Sequence, residues 1–382
     1  MIVRVLKVLA VALCAALIGI VQFVFNPTGL GPEPESLLGD AFFAAPDPAM
    51  EDAELLIDGE VAFGRVYALL EGARESIHVQ TYIWKDDETG RAIVERLKAA
   101  ADRGVTVVVS KDMLGTSFEV GDLMAGKPSP VFTEEGLDGY PGVEVRTDWL
   151  ADTDHSKYFI VDGEVVVFGG MNIADEYHHD WHDYMGALRG ADRVAAFEAR
   201  VLRGEALEKG PSMVAVNDAE ATEIRGALVE VLDRAQERVI IEQAYISDDR
   251  VIEAMQRAAE RGVTVDLVVP AEPDTHGAAN KATFNRLIPS GVRVWLYPRM
   301  SHAKVMLADG RYAALGSANL TPRSMITSGE VTWFVHAPPD SAFIEQLAEQ
   351  MEADIAESDR RLELYTFGAS ESVMAVVDKY VW

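Results

Sequence analysis

One pattern of histidine, lysine, aspartate, glycine and asparagine occurs twice in the chain, 147 positions apart. The first copy, residues 154–172, is DHSKYFIVDGEVVVFGGMN, and the second, residues 301–319, is SHAKVMLADGRYAALGSAN. The matching pairs are His155/His302, Lys157/Lys304, Asp162/Asp309, Gly169/Gly316 and Asn172/Asn319. Five agreements at a single offset are far beyond chance, so the pattern predicts a chain built from two similar halves.

The residues before each copy repeat as well, and they predict the fold class. Residues 93–109 (IVERLKAAADRGVTVVV) and 252–269 (IEAMQRAAERGVTVDLVV) each combine an amphipathic helix, an Arg-Gly stop and an apolar strand. We therefore expect two pseudo-symmetric α/β sandwich halves with mixed, largely parallel sheets, related by a pseudo-twofold axis. A chain of 382 residues is long enough for two such halves. We place them at residues 54–208 and 209–357.

The N-terminal residues have the composition of a membrane anchor. Arg4 and Lys7 precede an apolar stretch that extends from residue 8 to residue 25. At 1.5 Å per residue this stretch spans about 27 Å, close to the hydrocarbon thickness of a bilayer. We expect residues 1–25 to form one transmembrane helix, with a cleaved signal peptide as the alternative. The preceding basic residues predict a cytoplasmic N-terminus and a catalytic body on the extracytoplasmic side.

Three further segments stand outside the regular pattern. Residues 26–53 are rich in proline, glycine and acidic residues, which predicts a flexible linker. Residues 116–142 are rich in glycine, proline and aromatics, and they suit either a loop over the mouth of a site or a plain surface connection. The C-terminal extension, residues 358–382, contains a helical apolar stripe that most often packs on its own protein. Membrane contact is the alternative for that stripe.

The charge of the chain argues against nucleic-acid binding. It has 34 basic and 62 acidic residues and a formal net charge of -28, which repels phosphate backbones. Cys14 is the only cysteine and lies in the predicted anchor, so we expect no disulfide in the body of the protein.

Strand geometry places the repeated polar residues on one face. In a strand, residues two apart point the same way, so His155 shares a face with Lys157. The Asp-Gly pair at residues 162–163 then predicts a hairpin turn, and the returning strand brings Asn172 back toward the same end. A single H-x-K strand is usually only a solvated edge. The second copy, beginning at His302, makes a shared site at the interface of the halves the better interpretation.

Two histidines, two lysines and two asparagines suit displacement at a phosphodiester. One imidazole attacks phosphorus while the other protonates the leaving alkoxide, and the lysines and amides surround the nonbridging oxygens. We expect a bell-shaped pH profile that belongs to the coupled pair of histidines. We expect no metal and no other cofactor, because two lysines supply the positive charge.

The pattern H-x-K-x4-D-x6-G-x2-N closely resembles the paired signature of the phospholipase D superfamily, and the similarity covers about residues 54–357. Three stretches are most similar to the bacterial cardiolipin synthase branch: VQTYIWKDDETGRAIVERLKAAADRGV, GGMNIADEY and GSANLTPRS. The resemblance implies a bacterial plasma-membrane protein that acts on phospholipids of the bilayer.

The resemblance also implies roles for individual residues. His155 would be the nucleophile that forms a phosphohistidine, and His302 the general acid and later the base. Phosphate contacts would come from Lys157, Lys304, Asn172 and Asn319. Asp162 and Asp309 would hold structure or tune the neighbouring histidine. Glu330 would orient a catalytic histidine, and we expect Asp183 to be its pseudo-symmetric counterpart.

A possible metal site and several functions remain as alternatives. His178, His179 and His182 could share a metal on a helix, but their spacing fits no regular zinc site. The leading function is a phosphatidyltransferase that makes cardiolipin from phosphatidylglycerol. The alternatives are a phospholipase D that uses water, a nuclease of the same superfamily, and a catalytically silent scaffold. The nuclease is disfavoured by the charge, and the scaffold by the two intact motifs.

Overall fold

Strands and helices alternate in the first part of each half, as the repeated helix, glycine and strand pattern predicts, and hairpin strands follow. The computed structural model describes residues 37–147, 153–218 and 221–380. The strands are β1 (Ala53–Ile57), β2 (Ser76–Thr81), β3 (Thr106–Lys111), β4 (Val143–Arg146), β5 (Tyr158–Val161), β6 (Val165–Gly169), β7 (Tyr184–Arg189), β8 (Ser212–Asn217), β9 (Arg238–Gln243), β10 (Thr264–Pro270), β11 (Arg293–Tyr297), β12 (Lys304–Ala308), β13 (Tyr312–Gly316), β14 (Glu330–His336) and β15 (Asp359–Arg361). The α-helices are α1 (Gly39–Ala44), α2 (Asp58–Gly72), α3 (Glu88–Asp102), α4 (Val120–Met124), α5 (Ala191–Val201), α6 (Glu223–Arg234), α7 (Asp249–Glu260), α8 (Gly277–Leu287), α9 (Pro322–Ile326), α10 (Ala342–Glu357) and α11 (Ala369–Tyr380).

Each half contains one mixed sheet. The first sheet has the order β1-β7-β6-β5-β2-β3-β4, and the second has the order β15-β11-β10-β9-β12-β13-β14-β8. Strands β2, β3 and β4 are mutually parallel, as are β9, β10 and β11. The other neighbouring strands in both sheets are antiparallel.

The expectation of largely parallel sheets is therefore wrong. Parallel pairing occurs only between strands that a helical crossover connects. The strand after each H-x-K motif, β5 or β12, turns back at Asp-Gly and pairs antiparallel with the next strand. A connection this short cannot join parallel strands, because a parallel pair needs a crossover of a dozen or more residues.

The two sheets pack face to face and carry helices on their outer faces. A central apolar core joins them, and within it the rings of Phe168 and Trp333 meet edge to face with centroids 6.2 Å apart. Helices α2 and α3 cover the first sheet, and α6, α7 and α8 cover the second. This helix, sheet, sheet, helix layering brings the ends of β5 and β12 together at one interface.

The described part of the predicted linker is folded rather than flexible. Leu38 and Phe42 are fully buried against the second half, and the main-chain N–H groups of Leu38 and Gly39 donate to Glu230. No helix within residues 37–147, 153–218 and 221–380 is long and apolar enough to cross a bilayer. The predicted span, residues 1–25, lies outside these residues.

The C-terminal extension ends in α11, which packs along α8. Asp378 accepts a hydrogen bond of 3.1 Å from the main-chain N–H of Ala278, the second residue of α8. Val373 and Val376 nevertheless remain 62% and 43% exposed. The apolar stripe is therefore partly exposed, and the buried Asp378 supplies this contact with α8.

Candidate active site

The two H-x-K motifs meet at the interface of the halves, where each is held by the main chain of the other half. The N–H of His155 donates to the carbonyl of Gly329, and the N–H of His302 donates to the carbonyl of His182, each at 2.7 Å. These bonds cross between the halves, so the position of each histidine depends on the packing of both.

A buried carboxylate from the opposite half holds each imidazole ring. Nδ1 of His155 lies 3.0 Å from Glu330 Oε1, and Nδ1 of His302 lies 2.9 Å from Asp183 Oδ2. Asp183 and Glu330 are themselves 147 positions apart. With Nδ1 directed at a carboxylate, Nε2 of each ring is the nitrogen available to a substrate.

The environment of both histidines favours the neutral ring. Burial, reinforced by the nearby charge of Lys157, holds the pKa of His155 well below its usual range. Burial and Lys304 lower the pKa of His302 to about 3, and Asp183 opposes that shift. A neutral imidazole carries the lone pair that a nucleophile needs, so the protonation state of either ring suits attack on phosphorus.

Both lysines of the motifs are buried beside the histidines. Lys157 Nζ donates to the carbonyl of His155, and Lys304 Nζ donates to the carbonyl of His302 at 2.6 Å. Burial lowers the pKa of Lys157 to about 7 and that of Lys304 to about 8. A bound anion would favour the charged ammonium forms, because it would offset the desolvation that lowers the pKa of each lysine.

The two asparagines lie at one cavity of about 100 Å³ between the histidines. Asn172 accepts a hydrogen bond of 3.0 Å from the N–H of Ile83. The buried Oδ1 of Asn319 makes no hydrogen bond within the part of the chain that the structure describes. The hydroxyl of Ser317 donates a hydrogen bond to the carboxylate of Glu330, which is thereby fixed from a second direction.

Asp162 and Asp309 lie at the far ends of their strands. Asp162 accepts hydrogen bonds from the main-chain N–H groups of residues 74–76, and Asp309 accepts from those of residues 236–238. Both have left-handed backbones, with φ of 55° and 49°. Their contacts fasten the starts of the neighbouring strands β2 and β9 and do not extend to the histidine rings.

Sequence reasoning did not single out the two tyrosines of the cavity wall. Tyr82 meets the ring of His155 edge to face at 4.7 Å, and Tyr245 lies 6.2 Å from the ring of His302. Both line the cavity. The sequence contains a pattern that could have indicated them, because QTYIW and EQAYIS occupy corresponding strand ends in the two halves.

His178 and His179 remain together, with ring centroids 3.9 Å apart beside Glu60, whereas His182 lies apart from them. The Nδ1 of His178 lies 2.9 Å from Thr89 Oγ1, and the Nδ1 of His179 lies 2.8 Å from Glu60, away from the cavity. His182 is fully buried at the interface, with Nδ1 2.7 Å from Asp58. Tyr177 lines the cavity, with its ring 5.1 Å from that of His302.

Two mixed sheets that bring paired H-x-K motifs to one cavity define an enzyme of the phospholipase D superfamily. The chain belongs to the family described as cardiolipin synthase, PLD-like domain, whose model matches residues 66–201 and 228–355.

Curated relatives and solved structures agree with this family. The chain is 27% identical to a cardiolipin synthase of Listeria welshimeri over 80% of its own length and 69% of the relative. It is 26% identical to cardiolipin synthase B of Escherichia coli over 79% of its length and 80% of the relative. The crystal structure of phosphatidylserine synthase from Haemophilus influenzae has the same fold, with a TM-score of 0.64 at 15% identity, covering 85% of this chain and 89% of that one.

Proposed function

We propose that this protein is a phosphatidyltransferase of the bacterial membrane that makes cardiolipin from phosphatidylglycerol through a phosphohistidine on His155. The observation that carries the proposal is the pair of rings, His155 and His302, each anchored through Nδ1 beside one cavity. The cardiolipin synthase relatives support a phospholipid substrate.

In the first step, Nε2 of His155 attacks the phosphorus of a phospholipid. An N–P bond forms, the bond from phosphorus to the head-group oxygen breaks, and His302 gives its proton to the leaving alcohol. Lys157, Lys304 and the two asparagines would stabilise the charge on the nonbridging oxygens.

In the second step, the N–P bond to His155 breaks and a new O–P bond forms. Neutral His302 takes the proton of an acceptor hydroxyl, whose oxygen attacks phosphorus. The new O–P bond forms as the bond to His155 breaks, and the histidine leaves neutral. When the acceptor is the glycerol head of a second phosphatidylglycerol, the product is cardiolipin.

Substrate binding favours protonation of His302 from solvent, which provides the proton that the first step requires. Burial and the charge of Lys304 lower the pKa of His302 and keep its ring neutral. A bound phosphodiester places a negative charge beside both lysines and offsets their repulsion of an imidazolium. The pKa of His302 therefore rises when substrate is present, while Asp183 stabilises the protonated ring.

Hydrolysis is the second candidate, because water at the position of the acceptor would yield phosphatidic acid from the same intermediate. His302 stands at the cavity wall, where it can take a proton from water as from an alcohol. The orientation of the body toward the extracytoplasmic side rests on the basic residues before the predicted anchor.

Incubation of the purified full chain with phosphatidylglycerol vesicles, and separately with single-stranded DNA, tests the proposal by mass spectrometry of the products. We expect cardiolipin and free glycerol from the lipid and no cleavage of the DNA. His155→Ala should abolish the lipid reaction, whereas the matched surface variant His179→Ala should retain it. Absence of a lipid product, or activity that survives His155→Ala, would overturn the proposed function.

A further inference from the structure

The two ends of the cavity differ in charge. Asp274 is the one carboxylate among the described residues that line it. It lies toward His302, because its bonding partner Tyr245 has its ring 6.2 Å from that histidine. Arg323 stands at the other end, where its guanidinium lies 3.3 Å from Thr153, two residues before His155.

Asp274 is held in place at the cavity rim. The hydroxyl of Tyr245 donates to its Oδ1, and the ring of His276 stacks on Tyr245 with centroids 4.4 Å apart. Tyr245 is only 6% exposed, whereas Asp274 is exposed to solvent. The carboxylate is thus oriented by the hydroxyl of Tyr245 and can accept a hydrogen bond from a molecule in the cavity.

The charge around the cavity favours a neutral hydroxyl partner over an ammonium group. The ammonium group of Lys304 lies near Tyr245, with Nζ 5.9 Å from the ring centre. Asp274 is one of the groups that favour the charged form of this lysine. Arg323 adds positive charge at the opposite end. A cationic head group would meet these charges at close range, whereas a hydroxyl needs only the acceptor.

We propose that Asp274, oriented by Tyr245, binds the alcohol that leaves in the first step and attacks in the second, by accepting a hydrogen bond from a second hydroxyl of that alcohol. This inference rests on the proposed function and names the substrate class of the same site. The alcohol is a polyol such as a glycerol head group. One hydroxyl loses its proton to His302 and attacks phosphorus, while the neighbouring hydroxyl bonds Asp274.

Binding of the second hydroxyl also selects the acceptor over water. Water has no second hydroxyl to place on Asp274 while its oxygen attacks, and neither has methanol. A site built to bond a substrate hydroxyl discriminates strongly against molecules that lack it. The partition of the phosphatidyl group between glycerol and water therefore depends on this carboxylate.

Asp274→Asn in the full chain isolates that contribution, since the asparagine oxygen still accepts the bond from Tyr245. A phosphatidyl donor with a p-nitrophenol leaving group makes the first step independent of any head-group hydroxyl. Glycerol, ethanolamine or methanol is then supplied, and the ratio of transfer product to phosphatidic acid is measured. This ratio does not depend on the fraction of folded enzyme. Glu272→Gln, exposed on the same loop but not at the cavity, is the matched control.

We expect Asp274→Asn to lower the glycerol-to-water ratio roughly tenfold and to leave the methanol-to-water ratio unchanged. Glu272→Gln should change neither ratio. An unaltered glycerol ratio in Asp274→Asn, or a loss confined to ethanolamine, would overturn the assignment to a polyol. A wild-type protein that forms only phosphatidic acid with every acceptor would instead overturn the proposed transferase function.

Discussion

The main-chain N–H of His302 donates a hydrogen bond of 2.7 Å to the carbonyl of His182, across the interface of the two halves. The first half has the corresponding bond, from His155 to Gly329, with the same length. Each accepting residue immediately precedes the carboxylate that bonds the same histidine ring. Each half therefore positions the histidine of the other, and neither half alone contains the assembled site.

The side chain of His182 strengthens this interface as a buried cation. Nδ1 lies 2.7 Å from Asp58, and Nε2 lies 3.1 Å from Asp354 and 3.6 Å from Glu242. Burial favours the neutral ring, but the carboxylates of Asp354, Asp58 and Glu242 outweigh it and raise the pKa of His182. Removing the cation leaves buried carboxylates without their partner, which is strongly destabilising.

His182→Leu should lower the free energy of unfolding by about 3 kcal/mol at pH 6. Because the folded pKa of His182 is raised above about 6.5, its contribution is fully present below that pH. The contribution is lost as the pH rises toward the folded value, so the difference between wild type and variant should shrink above pH 7. Urea unfolding of both proteins at pH 6 and pH 9 measures this, and a difference that grows with pH would contradict it.

Asp162 offers a prediction about stability rather than chemistry. Its carboxylate accepts from three main-chain N–H groups at the start of β2, and its φ is 55°. Asp162→Ala should cost about 1–3 kcal/mol in unfolding free energy and leave kcat unchanged below the melting transition. Asp162→Asn, which retains an acceptor oxygen and tolerates this backbone, should lose less. A large fall in kcat for folded Asp162→Ala would instead show a direct part in the reaction.

The internal repeat accounts for what was predictable from the sequence and what was not. The pairing of His155 with Lys157 follows from strand alternation, and the offset of 147 connects Asp183 with Glu330. A repeat reveals only what the two halves share. Asp274 lies in a loop whose counterpart in the first half contributes Phe118 to the cavity, so no repeated pattern could indicate it. The repeat also could not predict whether neighbouring strands pair parallel or antiparallel, because a helix-strand unit does not determine how the next hairpin pairs.

The alkaline limb of the pH profile should reflect the lysines and not the pair of histidines expected from the sequence, because burial lowers the pKa of both histidines. Burial lowers the pKa of Lys157 to about 7 and that of Lys304 to about 8, so raising the pH removes charge that the phosphate needs. We expect kcat/KM for soluble short-chain phosphatidylglycerol to fall above about pH 7, where Lys157 begins to lose its charge, since this parameter reports the free enzyme. Lys157→Arg keeps its charge, so its alkaline limb should move to higher pH, toward that of Lys304, even if its activity is lower. A wild-type profile that is flat to pH 9.5 would contradict this.

The close approach of Gly170 to Asp183 provides a steric test of the acid that holds His302. A Cβ at Gly170 would lie 2.6 Å from Asp183 Oδ2, so Gly170→Ala must displace the carboxylate from the ring. Loss of such an orienting carboxylate costs up to about 10⁴ in kcat in a serine protease, and we expect Asp183→Asn to lower kcat by about 10² or more. Gly170→Ala should change kcat in the same direction with little change in KM, whereas Gly210→Ala, which meets only open space, should not. Steady-state kinetics with phosphatidylglycerol measures all three, and wild-type kcat in a folded Gly170→Ala would show that His302 does not depend on the position of Asp183.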